Sequence, residues 1–263
     1  MFPTNSKGLS LWKFENLSNQ DNIQHFISGK EGGFSVDELA GLNLSFSVRD
    51  TEQNVLDNRS LLASSLEIQS DQLFFISQFH SDQVLIVKEK YDGNPSKADA
   101  LVTNTKGICI CVMGADCVPL LVYDPVMKVI AAVHAGWRGT ASSITYKTLQ
   151  IMRDKYGSKP EDIILSIGPS ISQEKYEVGE DVYHSFLKSQ GDVTKKYFKH
   201  DNISAKYFPD LWEANKDQGL MFGLKEQNIE LAGICTYSNP DKFYSARHSK
   251  NKTGRFAAGI MLK

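Results

Sequence analysis

The 263-residue chain is predicted to fold as a single mixed α/β domain. Apolar, β-rich runs alternate with segments of helical periodicity, and no linker, repeat or low-complexity tract divides the chain. A central block holds three such runs in succession, at Gly107–Met113, Pro119–Tyr123 and Val129–His134. A chain of this length buries a substantial core without disulfides or metal staples. We therefore expect one domain that spans residues 1–263.

The elements before the central block are predicted from periodicity and turn signals. Alternating apolar residues indicate strands, and Asp50 or Thr51 can cap a helix whose apolar positions follow helical spacing. After an irregular N-terminal segment, the predicted elements are strands at Ile23–Ser28 and Leu42–Phe46, a helix at Thr51–Leu66, strands at Leu73–Ser77 and Val84–Val87, a turn-rich loop at Tyr91–Lys97 and a lead into the central block at Ala98–Thr103.

The second half of the chain alternates helices and strands. Asp124 and Pro125 favour a hairpin-like turn between the last two runs of the central block, and Gly157 is typical of a helix C-terminus. The predicted elements that follow are helices at Ser142–Tyr156, Gly179–Ser189 and Leu211–Glu226, strands at Ile163–Ile167, Leu231–Thr236 and Phe256–Leu262, and a polar surface segment at Gln190–Ala205.

Composition narrows the class of protein. There are 29 Lys and Arg residues against 31 Asp and Glu, so the formal net charge of −2 implies no large basic face for nucleic acid. No apolar run approaches the length of a membrane span, and the N-terminus lacks the pattern of a secretory signal. We expect a cytoplasmic protein, a monomer or homodimer, that binds neither nucleic acid nor membrane.

The four cysteines fall into different settings. Cys109 and Cys111 alternate within the apolar run GICICVMG, and we expect both to be small core residues. Cys117 lies at a break between two apolar runs, where it can be either a core residue or a residue facing a cleft. No Cys-x-x-Cys pair occurs, which argues against a zinc ribbon or a thioredoxin-like site.

Three short runs place possible metal ligands near the ends of predicted strands. The run QFH ends at His80, ADC ends at Cys117, and HAGWRGT begins at His134. Two imidazoles and a thiolate suit zinc, with a fourth coordination position left for water or substrate. Each residue alone also has a plainer explanation, as a turn histidine, a core cysteine or a histidine in a tight turn. The long spacing among them does not by itself define a zinc site.

The HAGWRGT run also has features of an anion site. Its glycines permit close approach of a ligand to the backbone, and a helix start would offer free amide groups. Arg138 adds a forked donor suited to phosphate or carboxylate. Trp137 either stacks on a bound ring or packs behind the turn.

Taken in order, these runs resemble the YfiH or laccase-domain family, also called multicopper polyphenol oxidoreductases, whose members are regarded as purine nucleoside phosphorylases. The likeness extends from about Phe26 to Leu262 and includes ADALVT, IGPSIS, YEVG and TGR. It implies a sandwich fold similar to that of a bacterial toxin deamidase with a Cys–His pair. It also implies catalytic zinc ligands at His80, Cys117 and His134, and substrate-binding residues at Asn43, Arg59, Gln78 and Arg138.

The resemblance implies phosphorolysis of adenosine, inosine, guanosine and S-methyl-5'-thioadenosine, with deamination of adenosine as an associated activity. Asp116, Glu177 and a bound phosphate stay open as the group that moves the proton. The chain departs from the family pattern at three places. Phe79 and Ser81 flank the first histidine where Val and Gly are usual, Lys30 stands in place of an arginine, and Arg247–His248 stands in place of paired arginines.

Three other functions stay open. Cys117 and His134 also suit the nucleophile and base of a hydrolase or deamidase. Copper accepts the same ligands, and polyphenol oxidase (laccase) is the family's older label, although six histidines are few for a multicopper enzyme. Lys30 and His248 would also fit a non-catalytic module that keeps a pocket for a metal or nucleoside.

Overall fold

The structure, a computed structural model, describes residues 1–89 and 96–263. The strands in these residues are β1 Phe2–Ser6, β2 Leu9–Lys13, β3 Ile23–Ser28, β4 Leu73–Phe75, β5 Val84–Ile86, β6 Ala100–Thr103, β7 Cys109–Gly114, β8 Val118–Asp124, β9 Val129–Ala135, β10 Ile164–Ile167, β11 Phe198–Asp201, β12 Lys206–Pro209, β13 Ile229–Leu231 and β14 Phe256–Leu262. The α-helices are α1 Glu15–Ser18, α2 Glu52–Ser65, α3 Trp137–Ala141, α4 Ile144–Tyr156, α5 Glu180–Gln190, α6 Thr194–Tyr197 and α7 Leu211–Phe222.

Two six-stranded sheets form the centre of the fold. The first has the strand order β1-β2-β3-β14-β7-β4, and the second has the order β13-β10-β8-β9-β6-β5. Both sheets mix directions, since β4 runs parallel to β7 and β5 parallel to β6, while β14–β3 and β8–β9 are antiparallel. This architecture confirms the predicted mixed-sheet α/β sandwich.

Three apolar clusters hold the layers together. Between the sheets, side chains of β7 and β14 meet those of β8 and β9, with Tyr123 and Phe256 fully buried. The outer face of the second sheet packs against α4, α5 and α7, and the outer face of the first packs against α2. Because strand side chains alternate, Ile110 faces the other sheet while Cys109 and Cys111 face the α2 side. Both cysteines are buried core residues, as predicted.

Most predicted elements have the predicted type, and local chemistry explains their ends. Thr51 caps α2, because its hydroxyl accepts the Asn54 N–H at 3.2 Å. The turn between β8 and β9 closes on Asp124, whose Oδ1 accepts the N–H groups of Val126 and Met127 at 2.8 and 3.0 Å. Gly157 ends α4 in the left-handed conformation with φ 76°.

Two predictions near the N-terminus are wrong. The segment expected to be irregular forms the β1–β2 hairpin, where Pro3 is tolerated because β1 lies at the edge of the sheet. The strand expected at Leu42–Phe46 does not form. There the Asn43 side chain accepts the Ser45 N–H at 3.2 Å, so a side chain replaces part of a strand ladder.

The second half also differs in detail. The helix predicted at Ser142–Tyr156 begins at Ile144, because Ser143 has φ 60° and separates α3 from α4. The α7 helix ends at Phe222, before Gly223 with φ 105°, rather than at Glu226. The strand predicted at Leu231–Thr236 is displaced to β13.

The polar segment predicted at Gln190–Ala205 is not simply a surface loop, since it holds α6 and β11, the first strand of the β11–β12 hairpin. Of the loop predicted at Tyr91–Lys97, residues 91–95 lie outside the described residues. Among the described helices, none is long and apolar enough to cross a membrane.

Candidate metal centre and its cavity

The three predicted metal ligands meet at one end of the sandwich. His80 follows β4 of the first sheet, Cys117 lies on the crossing from β7 to β8, and His134 lies near the end of β9 in the second sheet. Their ligand atoms all lie within 4.8 Å of one another. Cys117 Sγ is 3.8 Å from His80 Nε2, and the two imidazole centroids are 5.0 Å apart. The fold thus brings together three residues that are far apart in the chain.

This donor set fits a metal ion. Tetrahedral zinc with ligands at about 2.0–2.3 Å places neighbouring ligand atoms about 3.3–3.8 Å apart, and the Cys117–His80 distance of 3.8 Å agrees with that spacing. Copper also accepts imidazole and thiolate. The geometry therefore supports metal binding without distinguishing zinc from copper.

Asp99, which the sequence analysis did not single out, holds both histidines. Its Oδ1 lies 2.9 Å from His134 Nδ1 and accepts the His80 N–H at 3.0 Å. Its Oδ2 accepts the N–H and the hydroxyl of Ser81 at 2.6 and 2.7 Å. A carboxylate that accepts the Nδ1 proton leaves the Nε2 lone pair of the imidazole for a metal. The sequence feature that could have indicated Asp99 is its position as the one acidic residue in the run ADALVT. In the structure its side chain is fully buried.

The three groups shift one another's protonation. Burial alone would raise the pKa of the Cys117 thiol, but the charge and hydrogen bond of His134, helped by His80, lower it to about 6. Burial would lower the pKa of His134, but Cys117 and Asp99 raise it to about 9. Burial opposes ionisation of Asp99 as well, yet hydrogen bonds from His134 and Ser81 lower its pKa to about 2. The site favours a thiolate, the form of cysteine that ligates metals and attacks as a nucleophile.

Two residues at the predicted ligands have a left-handed backbone conformation. His80 has φ 61° and Asp116, beside Cys117, has φ 88°, a region that side chains other than glycine rarely adopt. Two short hydrogen bonds hold Asp116 there, since its carboxylate accepts the Thr236 hydroxyl and the Arg247 N–H, both at 2.6 Å. The position of Cys117 is therefore set by contacts from distant parts of the chain.

Gly136 leaves room for the ligands. A Cβ at this position would lie 3.0 Å from His80 Cδ2 and 3.1 Å from Cys117 Sγ. Such contacts would require the imidazole or the thiol to move by a few tenths of an ångström. Glycine at position 136 is thus explained by the space that its missing Cβ leaves for His80 and Cys117.

A cavity of about 760 Å³ opens beside the three ligands. This volume lies within the usual range for small-molecule sites. Aromatic side chains on its wall are Phe46, Phe75, Trp137 and Tyr176. Among the described residues, one acidic side chain, Asp116, lines it together with five cationic ones, namely Arg59, Arg138, Arg247, Lys250 and Arg255. The excess of positive charge favours an anionic ligand.

Three of the four predicted substrate-binding residues line this cavity. Arg138 lies 4.2 Å from the Trp137 ring, and the Gln78 amide exchanges two 2.8 Å hydrogen bonds with the Met113 backbone. Arg59 donates from Nε and Nη2 to Leu44 O at 3.0 and 2.8 Å. Their direct contact with substrate stays a prediction.

Asn43 is not among the residues that line the cavity, and it is fully buried. Its Nδ2 donates to Asp50 at 2.8 Å, and its Oδ1 accepts the Arg255 N–H at 3.0 Å. These contacts place Asn43 behind the wall, where it supports residues that reach the cavity.

Arg247 and Arg255 line the cavity although sequence reasoning did not select them as binding residues. Arg247 lies 5.2 Å from the Tyr176 ring and donates to Glu177 O at 2.9 Å. Arg255 donates from Nη1 to the Thr253 and Gly254 carbonyls, both at 2.9 Å. In the sequence, Arg255 is indicated by the TGR run and Arg247 by the Arg247–His248 pair. Both indications come from the family resemblance alone.

Of the other residues named from the sequence, some contact the site and others lie outside the cavity. Lys30 lies over the Tyr244 ring at 5.6 Å, and His248 contacts the Tyr237 ring with centroids 5.3 Å apart. Neither lines the cavity, and neither does Glu177. The Ser81 hydroxyl, in contrast, donates to Asp99 Oδ2 at 2.7 Å, so this departure from the family pattern adds a contact to the carboxylate that holds His80 and His134.

Fold and site together define a class of mixed α/β sandwiches with a His–Cys–His group where two sheets meet. A family model described as "Multi-copper polyphenol oxidoreductase laccase" matches residues 24–263. The chain belongs to this family, which confirms the resemblance seen in the sequence.

Curated relatives and solved structures agree with this assignment. A "Purine nucleoside phosphorylase" of Bacteroides thetaiotaomicron is 39% identical over 257 residues, covering 95% of each chain. An "Adenosine deaminase RL5" from an unknown prokaryotic organism is 30% identical over 97% of this chain and 100% of its own. The crystal structure of YlmD from Geobacillus stearothermophilus has a TM-score of 0.92 at 26% identity, covering 100% of this chain and 98% of that chain.

Proposed function

We propose that the protein is a zinc-dependent purine nucleoside phosphorylase that acts on adenosine, inosine, guanosine and S-methyl-5'-thioadenosine and also deaminates adenosine. The observation that carries the proposal is a His–Cys–His group beside a cavity of about 760 Å³ with five cationic side chains. The names of the relatives supply the substrate class. Bacterial relatives with such names also support a cytoplasmic enzyme.

Phosphorolysis breaks the C–N bond between sugar and base and forms a C–O bond from the sugar to phosphate. The phosphate must therefore lie against the sugar, and the departing base must receive a proton. Arg138, Arg247 and Arg255 line the cavity and are suited to bind the phosphate through charge-assisted hydrogen bonds. Both Asp116 oxygens already accept short hydrogen bonds. We therefore favour the bound phosphate over Asp116 as the source of the proton.

Deamination replaces the 6-amino group of adenosine by oxygen from water and releases ammonia. A zinc ion held by His80, Cys117 and His134 would supply Lewis acidity for this chemistry. Asp99 acts behind the ligands, because it fixes the orientation and tautomer of His134 through Nδ1.

The experiment combines metal analysis with two assays on one preparation. We expect phosphate-dependent release of adenine and hypoxanthine from adenosine and inosine, and phosphate-independent formation of inosine from adenosine. Chelation should abolish both activities, and zinc should restore them better than copper. A verified metal-free preparation with full activity would contradict the zinc dependence. No base release from any nucleoside in phosphate would reject the phosphorylase.

A hydrolase or deamidase is the second candidate, because the structure adds a third member to the Cys–His pair. Asp99 lies 2.9 Å from His134, and His134 is the main cause of the lowered pKa of Cys117. This is the order of roles in a Cys–His–Asp triad. A metal-free protein that forms a covalent adduct with a substrate analogue at Cys117 and still turns over would favour this candidate.

The multicopper oxidase has less support. Within residues 1–89 and 96–263, one group of three suitable ligands is found, at His80, Cys117 and His134. The other four histidines lie apart from it, with His25 in β3, His184 beside Glu180, His200 over Tyr207 and His248 beside Tyr237. Among the described residues, none of these four histidines belongs to a second group of three such ligands.

A further inference from the structure

One wall of the cavity carries a cation held by two aromatic rings. The Arg59 guanidinium carbon lies 4.0 Å from the Phe75 ring centroid and 4.5 Å from that of Phe46. All three side chains line the cavity. Phe75 is buried, whereas Phe46 is 49% exposed. The wall therefore presents an open aromatic ring backed by a cation.

The segment that carries Phe46 is fixed on both sides by polar contacts. Arg59 donates twice to Leu44 O, at 3.0 and 2.8 Å. The Ser45 and Ser47 hydroxyls, one on each side of Phe46, are 2.7 Å apart, and the Ser45 N–H donates to Asn43 Oδ1 at 3.2 Å. An aromatic ring held out toward water by such contacts loses little conformational freedom when a ligand covers it.

Trp137 is another candidate for a stacking surface in this cavity. It is partly buried against the cluster of the second sheet, and Arg138 already lies 4.2 Å from its ring. Phe46 is half exposed, and the cation that contacts it is tied to the backbone of its own segment. Of the two rings, Phe46 is the better placed to receive a flat ligand.

We infer that Phe46 is the stacking platform for the purine base, and that Arg59 is a positioning residue for this platform rather than a phosphate ligand. The inference rests on the proposed function, because it names a subsite for that substrate. An aromatic platform accepts any base, since every base has a π-face. It therefore explains one enzyme acting on adenosine, inosine and guanosine alike.

The test compares Phe46→Leu and Phe46→Trp with Phe34→Leu in the metal-loaded enzyme. Phe34 is a matched control, because it is 52% exposed, close to the 49% of Phe46, and is not among the cavity-lining residues. Phe46→Leu should raise the KM for adenosine and inosine roughly tenfold, as expected for loss of one base–aromatic stack. The KM for phosphate should stay within twofold, Phe46→Trp should retain the wild-type nucleoside KM, and Phe34→Leu should behave as wild type.

Equilibrium binding of free adenine to the same proteins separates the platform from the reaction. If wild type releases base but Phe46→Leu keeps its nucleoside KM and its adenine affinity, the platform is wrong and the phosphorylase stands. If wild type releases no base yet binds adenine, and Phe46→Leu weakens that binding, the phosphorylase is wrong and the platform stands. An equal rise in the KM for phosphate, or an effect in Trp137→Leu without one in Phe46→Leu, would also overturn the platform.

Discussion

Two buried histidines in different parts of the sandwich show how neighbours decide protonation. His25 in β3 is 3% exposed and His134 at the end of β9 is 4% exposed, so both imidazoles are removed from water. Burial lowers the pKa of His25 to about 4, whereas Cys117 and Asp99 overcome burial and raise the pKa of His134 to about 9. Similar burial therefore gives opposite shifts.

The partners explain the difference. His25 Nε2 accepts the Phe14 N–H at 2.9 Å, a contact that requires the neutral ring, and Lys13 adds a repelling charge. His134 faces a carboxylate and a thiol instead. The first region holds its histidine as a neutral hydrogen-bond acceptor, and the second holds its histidine between a carboxylate and a thiol that favour the charged ring.

The largest effect is expected from Cys117→Ala, which removes the thiolate from the second region. Metal affinity should fall by more than roughly 100-fold, beyond the usual loss for a supporting residue, and both activities should be lost. Thermal unfolding should change by only a few degrees, because Cys117 borders the cavity. Cys235→Ala is the matched control, since Cys235 is also partly exposed but outside the group. A large loss of stability with metal still bound would show that Cys117 is a core residue.

The buried His25 should make the free energy of unfolding fall at acid pH. The folded pKa of His25, about 4, lies below the ordinary value of 6.5, so the unfolded chain binds the extra proton. The neutral His25 ring therefore contributes to the free energy of unfolding above pH 6.5, and this contribution is lost as pH falls toward 4. At 1.36 kcal/mol per pKa unit, the loss is about 3 kcal/mol.

The measurement for this prediction is the free energy of unfolding in urea between pH 7 and pH 4. His25→Gln retains an acceptor for the Phe14 N–H but does not titrate, so its stability should fall by about 3 kcal/mol less than that of wild type over this range. Parallel pH profiles for the two proteins would show that folding does not shift the pKa of His25.

Asp99→Asn tests whether the Asp99 carboxylate is needed for metal binding in the second region, the one that contains His134. We expect metal affinity to fall roughly 10- to 100-fold, the usual loss for a residue that orients a metal ligand. Asp124→Asn is the control for the cost of neutralising a buried carboxylate, since Asp124 is equally buried and ends β8 outside the cavity. Competition with a chelator measures the affinity. Equal affinity in Asp99→Asn and wild type would remove Asp99 from the site.

The smallest effect is expected from Gly136→Ala, which crowds the ligands without removing one. Metal affinity should fall by less than roughly tenfold, because the ligands move only a few tenths of an ångström. Gly29→Ala is a matched control, since its Cβ would lie 3.0 Å from Ser10 O, outside the metal-ligand group. It should cost stability and leave metal affinity unchanged. The reverse pattern would contradict the role assigned to Gly136.

The central strands and the ligand group could be predicted because their signals are local. Every residue of β8 and β9 is buried, so their apolar runs are unmistakable. The ligands lie in short runs with a family likeness. The β11–β12 hairpin and the β1–β2 hairpin escaped prediction, because polar, partly exposed strands lack a strong apolar pattern.

The support around the site was harder to predict because it depends on tertiary pairing. Asp99 reaches His134 across 35 residues only because β6 pairs with β9, with Ala100 opposite Val133. The family resemblance predicts Asn43 as a substrate-binding residue, and its contacts with Asp50 and Arg255 appear only once the chain is folded. Residue type and order predict candidate ligands, whereas the residues that support them can be predicted only from the sheet register.

The placement of the three ligands has a mechanical consequence. His80 follows the first sheet, His134 belongs to the second, and Cys117 lies on the chain between them, 37 residues after His80. An ion held by all three would close long chain loops and tie the two sheets at one end. Amide hydrogens of β4 and β9 should then exchange with solvent more slowly when metal is present, in both sheets together. The same ion would serve as a reversible cross-link, whose presence depends on the concentration of free metal.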